Sequence, residues 1–303
     1  MSQTMLQLVQ QTAAELNLAV PTYVAGNTSQ DVQQILALMN RAGYDLIKEH
    51  DWQALQVQYR FYTQCITTNA TTVNGSTTLT VDSGTDISAV DSNWQVTGYY
   101  VPQDTNVVTA DNTTHEIVLS QMASGSGTDS YVIGQMAYDL PPDFETITDR
   151  THWDKTKHWE MLGPEYAQQW QWLKSGYIST GPRVRWRILD NKFQIWPIMN
   201  TQEYLGFEYR SKGWARAADG TVKNSFTADT DTTVLDDSII VLATKLKYFQ
   251  IKSFDTTALM QDYQRYLSVA KANDKGAPNL SFAPYPSKVL IGYANIPDTG
   301  YGS

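Results

Sequence analysis

The chain is poor in charge, and what charge it has is unevenly placed. Lys, Arg, Asp and Glu make up 17% of its 303 residues, against about a quarter in ordinary soluble domains. Between Arg60 and Arg150 there is no Lys or Arg, and the side-chain charge there rests on Asp82, Asp86, Asp91, Asp104, Asp111, Glu116, Asp129, Asp139, Asp143, Glu145 and Asp149. With a net charge of -9 and no basic cluster, the sequence argues against a surface built to grip nucleic acid. Cysteine is nearly missing: Cys65 stands alone, so no intrachain disulfide can form. No apolar run reaches the roughly 18 residues of a membrane span. Residues 1–17 lack the basic and apolar regions of a signal peptide. These absences predict a chain made in the cytoplasm, with no membrane partner, that stays soluble until it assembles.

Catalytic signatures are lacking too. There is no GxSxG, no phosphate-binding GxxxxGK[ST], no HExxH and no paired CxxC. His152 and His158 have Asp149, Asp154 and Glu160 nearby. On a helix, however, that spacing sends the two imidazoles to different sides, whereas a metal needs convergent ligands. Asp82, Asp86 and Asp91 do not follow the EF-hand spacing. Carboxylate pairs are frequent in the acidic stretch, but sequence neighbours do not reveal the spatial separation that glycoside hydrolysis demands. The expectation is a non-enzymatic protein with no catalytic, cofactor-binding or metal-binding residues.

What is present is apolar and aromatic: 42% hydrophobic residues, with nine Trp and eighteen Tyr. That suffices for a sizeable core. The low-charge, aromatic-rich, Thr-rich composition suits a chain that buries surface against copies of itself, or a β-rich domain with ordinary surface Thr. Helical spacing predicts a helix over 4–17 and a stronger one over 29–49, where Val32, Ile35, Leu36, Met39, Ala42, Leu46 and Ile47 form one stripe. Thr28 with Asp31 reads as the start signal of the second. From Thr63 to Ala137 Thr, Ser, Asn, Gly and Asp dominate. Candidate strands there are Thr77–Val81, Trp94–Tyr100, Asn106–Thr109, Glu116–Leu119 and Tyr131–Gln135, separated by turn residues. Gly163-Pro164 reads as the opening of a short helix with Pro at its first position.

Residues 183–197 carry the clearest local pattern. Val184, Trp186 and Ile188 alternate with Arg183, Arg185 and Arg187, Asp190-Asn191 supplies a two-residue turn, and Phe193 and Ile195 follow. That turn puts Leu189 opposite Lys192, Ile188 opposite Phe193 and Trp186 opposite Ile195, so that the apolar sets coincide. Glu203–Arg210 is expected to continue this sheet as a third strand. The arginine face is either solvated or a contact for nucleic-acid phosphates or a neighbouring subunit's carboxylates, and the many Asp of the same chain favour subunit contacts over phosphates. Helices are predicted over 236–252 and 256–272, followed by a Pro/Tyr/Gly/Ser-rich tail that looks like an extended arm folding only against a partner.

The expected fold class is α+β: a helical bundle from the N- and C-terminal helices, with an antiparallel β sheet and an inserted small β domain. The segments would be 1–62 (N-terminal helices), 63–137 (Thr/Ser/Asp-rich insertion), 138–235 (aromatic connector and hairpin), 236–275 (C-terminal helices) and 276–303 (arm). This order resembles the head-to-tail adaptor, or connector, proteins of short-tailed bacteriophages. The resemblance is carried by the helix pair ending in Ala42-Gly43-Tyr44-Asp45-Leu46-Ile47, by Leu140-Pro141-Pro142-Asp143-Phe144, by the hairpin from Arg185 to Pro197, and by the C-terminal helix pair. It implies a structural virion protein forming a ring, twelve-fold in that family, under the portal protein. Tail-nozzle or fibre proteins would be its further partners, and DNA would pass through without specific binding. An acidic channel lining would keep that DNA mobile. The candidate subunit-interface residues are Arg183, Arg185, Arg187, Tyr285, Tyr293 and Tyr301. A tail fibre-anchoring or receptor-binding protein is the alternative.

Overall fold

The structure, a computed structural model, describes residues 2–175 and 184–275. Three cores lie in series along it. The first is helical in part: α1 (Met5–Glu15), α2 (Gln30–Glu49), α4 (Asp237–Ile251) and α5 (Thr257–Lys275) pack together. Their apolar stripes, with Leu8, Ile35, Met39, Leu46, Ile239 and Ile240, enclose Trp214 and Phe226 from the loops before α4. A small sheet of β15 (Ala215–Arg216), β16 (Val222–Lys223) and β17 (Thr232–Thr233) closes this layer. The chain start is stitched to the segment before α4: Met5 N donates to Asp231 O, and Gln3 N donates to an Asp237 carboxylate oxygen.

The second core is an aromatic sandwich. One sheet contains β1 (Gln56–Tyr62), β14 (Tyr204–Ser211), β9 (Phe144–Ile147), β10 (Trp153–Asp154) and β11 (Trp159–Glu160). The other contains β12 (Arg185–Leu189), β13 (Lys192–Trp196) and β8 (Ala137–Asp139). Between them the rings of Trp186, Phe193 and Phe207 stack in sequence, with centroids 5.3 and 5.0 Å apart. Tyr59 and Phe61 pack against this column. Each fully buried ring contributes about 1.5–3 kcal/mol by area. Helix α3 (Ala167–Lys174) seats Trp170 and Leu173 on Trp196.

The third core fills a closed antiparallel barrel. Its strands are β2 (Cys65–Thr72), β3 (Thr78–Val81), β4 (Trp94–Gly98), β5 (Val101–Asp111), β6 (Glu116–Leu119) and β7 (Gly127–Gln135), in the circular order β2-β3-β6-β5-β4-β7. Leu79, Val96, Ile117, Tyr131 and Ile133 line its interior. Closure leaves no strand edge exposed. The barrel is entered and left at one neck, where Cys65 pairs with Gly134 and Gln135 N donates to Gln64 O.

The strand pair β1–β14 sets how the three cores are arranged. Gln56 pairs with Arg210 at one end and Tyr62 with Tyr204 at the other. The helical layer joins at the first end, through Trp52 and Trp214, and the barrel joins at the second, through Thr63. Seven residues of strand separate the two junctions, which is about 20 Å.

Several expectations are corrected. The α+β plan of a helical bundle carrying a small β insertion does not hold, because strand residues outnumber helical ones among the described residues and the closed unit is a six-stranded barrel. The helices at the two chain ends do meet, but they share one core with Trp214, Ala215 and Phe226, and α5 contributes a single fully buried side chain, Leu267. The sequence pattern could not give the weight of β structure because β2 is a polar Thr/Asn run whose pairing is set by β7. The capping box expected at Thr28 is absent from α2, whose N-cap is Ser29 without a side-chain bond. It occurs at α1 instead, where Thr4 and Gln7 cap reciprocally. Pro164 does not open a helix, since α3 begins at Ala167 after Tyr166. Strand β14 does not continue the hairpin sheet; that place is taken by β8, which pairs with β13. The hairpin itself has the expected register, with Asp190 and Asn191 both at positive φ (52° and 57°) as a type I′ turn requires.

Gly43 in α2 lies against the buried Trp214 ring, where an added Cβ would come within 2.4 Å of the indole. Gly43→Ala gains helix propensity of about 1 kcal/mol but overpacks a closed core. A net loss of about 1–2 kcal/mol is expected, read as a lower urea midpoint at unchanged slope.

Candidate functional site

The arginine strand is engaged within the chain. Leu162 N donates to Val184 O and Trp186 N donates to Leu162 O, so the segment before α3 covers the outer edge of β12. From that segment Glu165 accepts Arg185 Nη1 at 2.6 Å, with the Glu165 side chain almost fully buried. Arg187 is half-buried and lies opposite the buried Gln194. Arg183, Tyr285, Tyr293 and Tyr301 lie outside the described residues.

A cleft of about 900 Å³ opens elsewhere, over the outer face of the β1–β14–β10–β11 sheet. Gln58, Arg150, Thr151, Trp153, Lys155, His158, Trp159, Glu160 and Glu208 line it, with Asp154 at its base. The register explains the grouping. Gln58 pairs with Glu208, Trp153 with Gly206 and Trp153 with Glu160, so these positions share the face turned away from Leu205 and Phe207 of the core; Trp159, which pairs with Asp154 and so alternates to the other side, lines the cleft from the sheet edge. Arg150 and His158 hold positive φ (61° and 60°) on either side of β10. Left-handed backbone at a non-glycine residue costs about 1–3 kcal/mol and gathers at functional sites. Thr151 fixes this wall to the sheet: its Oγ1 accepts Glu208 N at 3.0 Å.

Behind the cleft lies a buried carboxyl pair. Asp154 and Glu203 are 2% and 0% exposed. Asp154 Oδ1 accepts the backbone N–H groups of Thr156 and Lys157 at 2.9 and 3.0 Å. Lys157 Nζ forms an ion pair with Glu203. Glu203 also clamps the barrel neck, because its N–H donates to Thr63 Oγ1 at 2.7 Å while its carbonyl accepts Thr63 N. Burial pushes the Glu203 carboxyl above the ordinary carboxylate range; hydrogen bonding and repulsion from Asp154 add to this, and Lys157 opposes it. Buried His152, its ring edge-on to Trp186, is shifted the other way by burial, toward the neutral form.

Several carboxylates of the acidic stretch act on their own backbone. Asp86, Asp91 and Asp111 each accept the N–H two residues on. Asp104 instead pairs with Lys174 of α3 at 2.9 Å, tying the barrel to the sandwich. Among the described residues, no group of three or more His, Cys, Asp or Glu side chains converges to hold a metal ion, and no helix is long and apolar enough to cross a membrane. The sequence pattern marks 138–235, with Trp153 and Trp159, only as an aromatic connector and carries no sign of the Asp154–Glu203 pair. No local signal joins those two carboxyls, because the β10–β14 pairing creates their contact. No protein-family model matches the chain, and no curated protein matches it.

A carboxyl whose pKa is raised by folding holds its proton more tightly folded than unfolded. The Glu203 contribution therefore favours the fold in acid and is lost as pH rises from the ordinary Glu range through the raised value. Glu203→Gln keeps a donor toward Asp154 and removes this loss. The melting temperature of the variant, relative to the native chain, is expected to be higher at pH 8 than at pH 4. A difference that does not vary with pH would remove the buried-acid assignment.

Proposed function

We propose that this chain is a structural subunit of a tailed-phage particle: the ring-forming head-to-tail adaptor that links the portal protein to the tail nozzle and forms part of the DNA channel. The observation that carries this reading is the two-ended architecture. A partly helical layer and a closed barrel leave opposite ends of one strand pair, giving a subunit with two separate faces on a shared rigid middle. A protein that joins two different assemblies needs such faces. Both ends carry exposed apolar side chains, with Tyr44, Ile251 and Val269 on the helices, Phe254 in the turn between α4 and α5, and Val73, Tyr99, Val108 and Met122 on the barrel. Aromatic and Met side chains of this kind are enriched where subunits meet. The surplus of carboxylates suits a channel wall that DNA must slide past without adsorbing.

The test is native mass spectrometry of the purified chain, alone and with its cognate portal protein. The reading expects a closed ring, twelve-fold as in the adaptors it resembles, to form on the portal. A stable trimer indifferent to the portal would overturn it in favour of a fibre-anchoring protein.

A further inference from the structure

We infer that the cleft on the outer face of the β1–β14–β10–β11 sheet binds a neutral oligosaccharide. Its size falls within the roughly 300–1,000 Å³ of small-molecule sites, and it combines two indoles with a rim of polar side chains. Trp159 keeps 43% of its surface exposed although it sits in a two-residue strand at the sheet edge. Trp153, half-buried, lines the same cleft. Indole faces offer flat apolar area at little entropic cost, which matches the C–H face of a pyranose ring.

The polar rim matches the ring's hydroxyls. Gln58 both donates and accepts, Glu160 and Glu208 accept, and Arg150 and Lys155 donate. A sugar hydroxyl is itself donor and acceptor, so it satisfies such a mixed set where a purely acidic or purely basic ligand would not. Two cations face three carboxylates in the lining, and the Asp154 oxygen Oδ1 is already taken by backbone N–H groups. With neither sign in command, the cleft gives no net attraction to a polyanion or a polycation. Gly206, at the centre of this face, leaves the sheet without a side chain between Arg60 and Lys155. A Cβ there would meet the Lys155 stem at 3.0 Å. Glycine inside a strand commonly marks a place of close approach. The inference does not rest on the adaptor reading.

The test titrates the full chain with cellohexaose, maltohexaose and chitohexaose, and with polygalacturonate as the charged competitor, following tryptophan fluorescence. Saturable binding of at least one neutral hexasaccharide is expected, with polygalacturonate failing to compete. Trp159→Ala should bind about tenfold more weakly, as expected for loss of one stacking surface, with an unchanged circular dichroism spectrum. Tyr99→Ala, on the barrel, should bind as the native chain does. Absence of saturation with all three sugars, native affinity in Trp159→Ala, or displacement by polygalacturonate would each overturn the inference.

Discussion

Every other part of this molecule depends on the ladder between β1 and β14. It pairs Gln56 through Tyr62 with Arg210 back through Tyr204, across a chain segment that contains the whole barrel, the hairpin and α3. Closing so long a loop costs entropy, but that cost grows only slowly with length. The ladder offsets it because the same strands bury Tyr59, Phe61, Leu205, Phe207 and Tyr209 in the sandwich. Pairing and burial are thus one event. The strand direction then sends the partly helical layer to one end and the barrel to the other, and opens the aromatic cleft on the face the core does not use.

The low charge of the chain has a structural counterpart. In the barrel, carboxylates serve as local caps for turns, so the barrel folds without basic partners on its own strands. Its links to the rest borrow their cations from elsewhere: Asp104 pairs with Lys174 of α3, which also lies over the Trp170 ring, and Asn93 accepts Lys192 Nζ of the hairpin at 2.8 Å. The neck is held differently, by the Thr63–Glu203 clamp and the buried acid behind it. The buried acid makes the junction of barrel and sandwich one place where stability depends on pH.

Legibility followed locality. The hairpin 185–197 could be written down to its register because a two-residue turn and alternating apolar residues specify it within a dozen positions. Helices α2 and α4 were readable from their stripes; that Asp236 caps α4 by accepting the N–H groups of Ser238 and Ile239 is a finding of the structure. The polar strand β2 was not readable: Thr67, Thr68, Asn69 and Thr71 alternate without a hydrophobic code, and its interior positions are filled in part by Thr68, Ala70 and Thr72. Nor was the separation of β14 from the hairpin sheet readable, since propensity marks a strand without naming its neighbour.

The sequence by itself determined four of the helices and the hairpin, that no disulfide can brace the chain, and that Lys and Arg are excluded from residues 61–149, because these follow from residue type and short-range periodicity. Only the tertiary structure decided that the Thr-rich stretch closes into a barrel, that Glu165 takes up Arg185, that Asp154 meets Glu203, and that Trp153 and Trp159 wall one cleft. Those contacts join residues far apart in the chain. Their energies arise from desolvation and packing between strands, which no local pattern encodes.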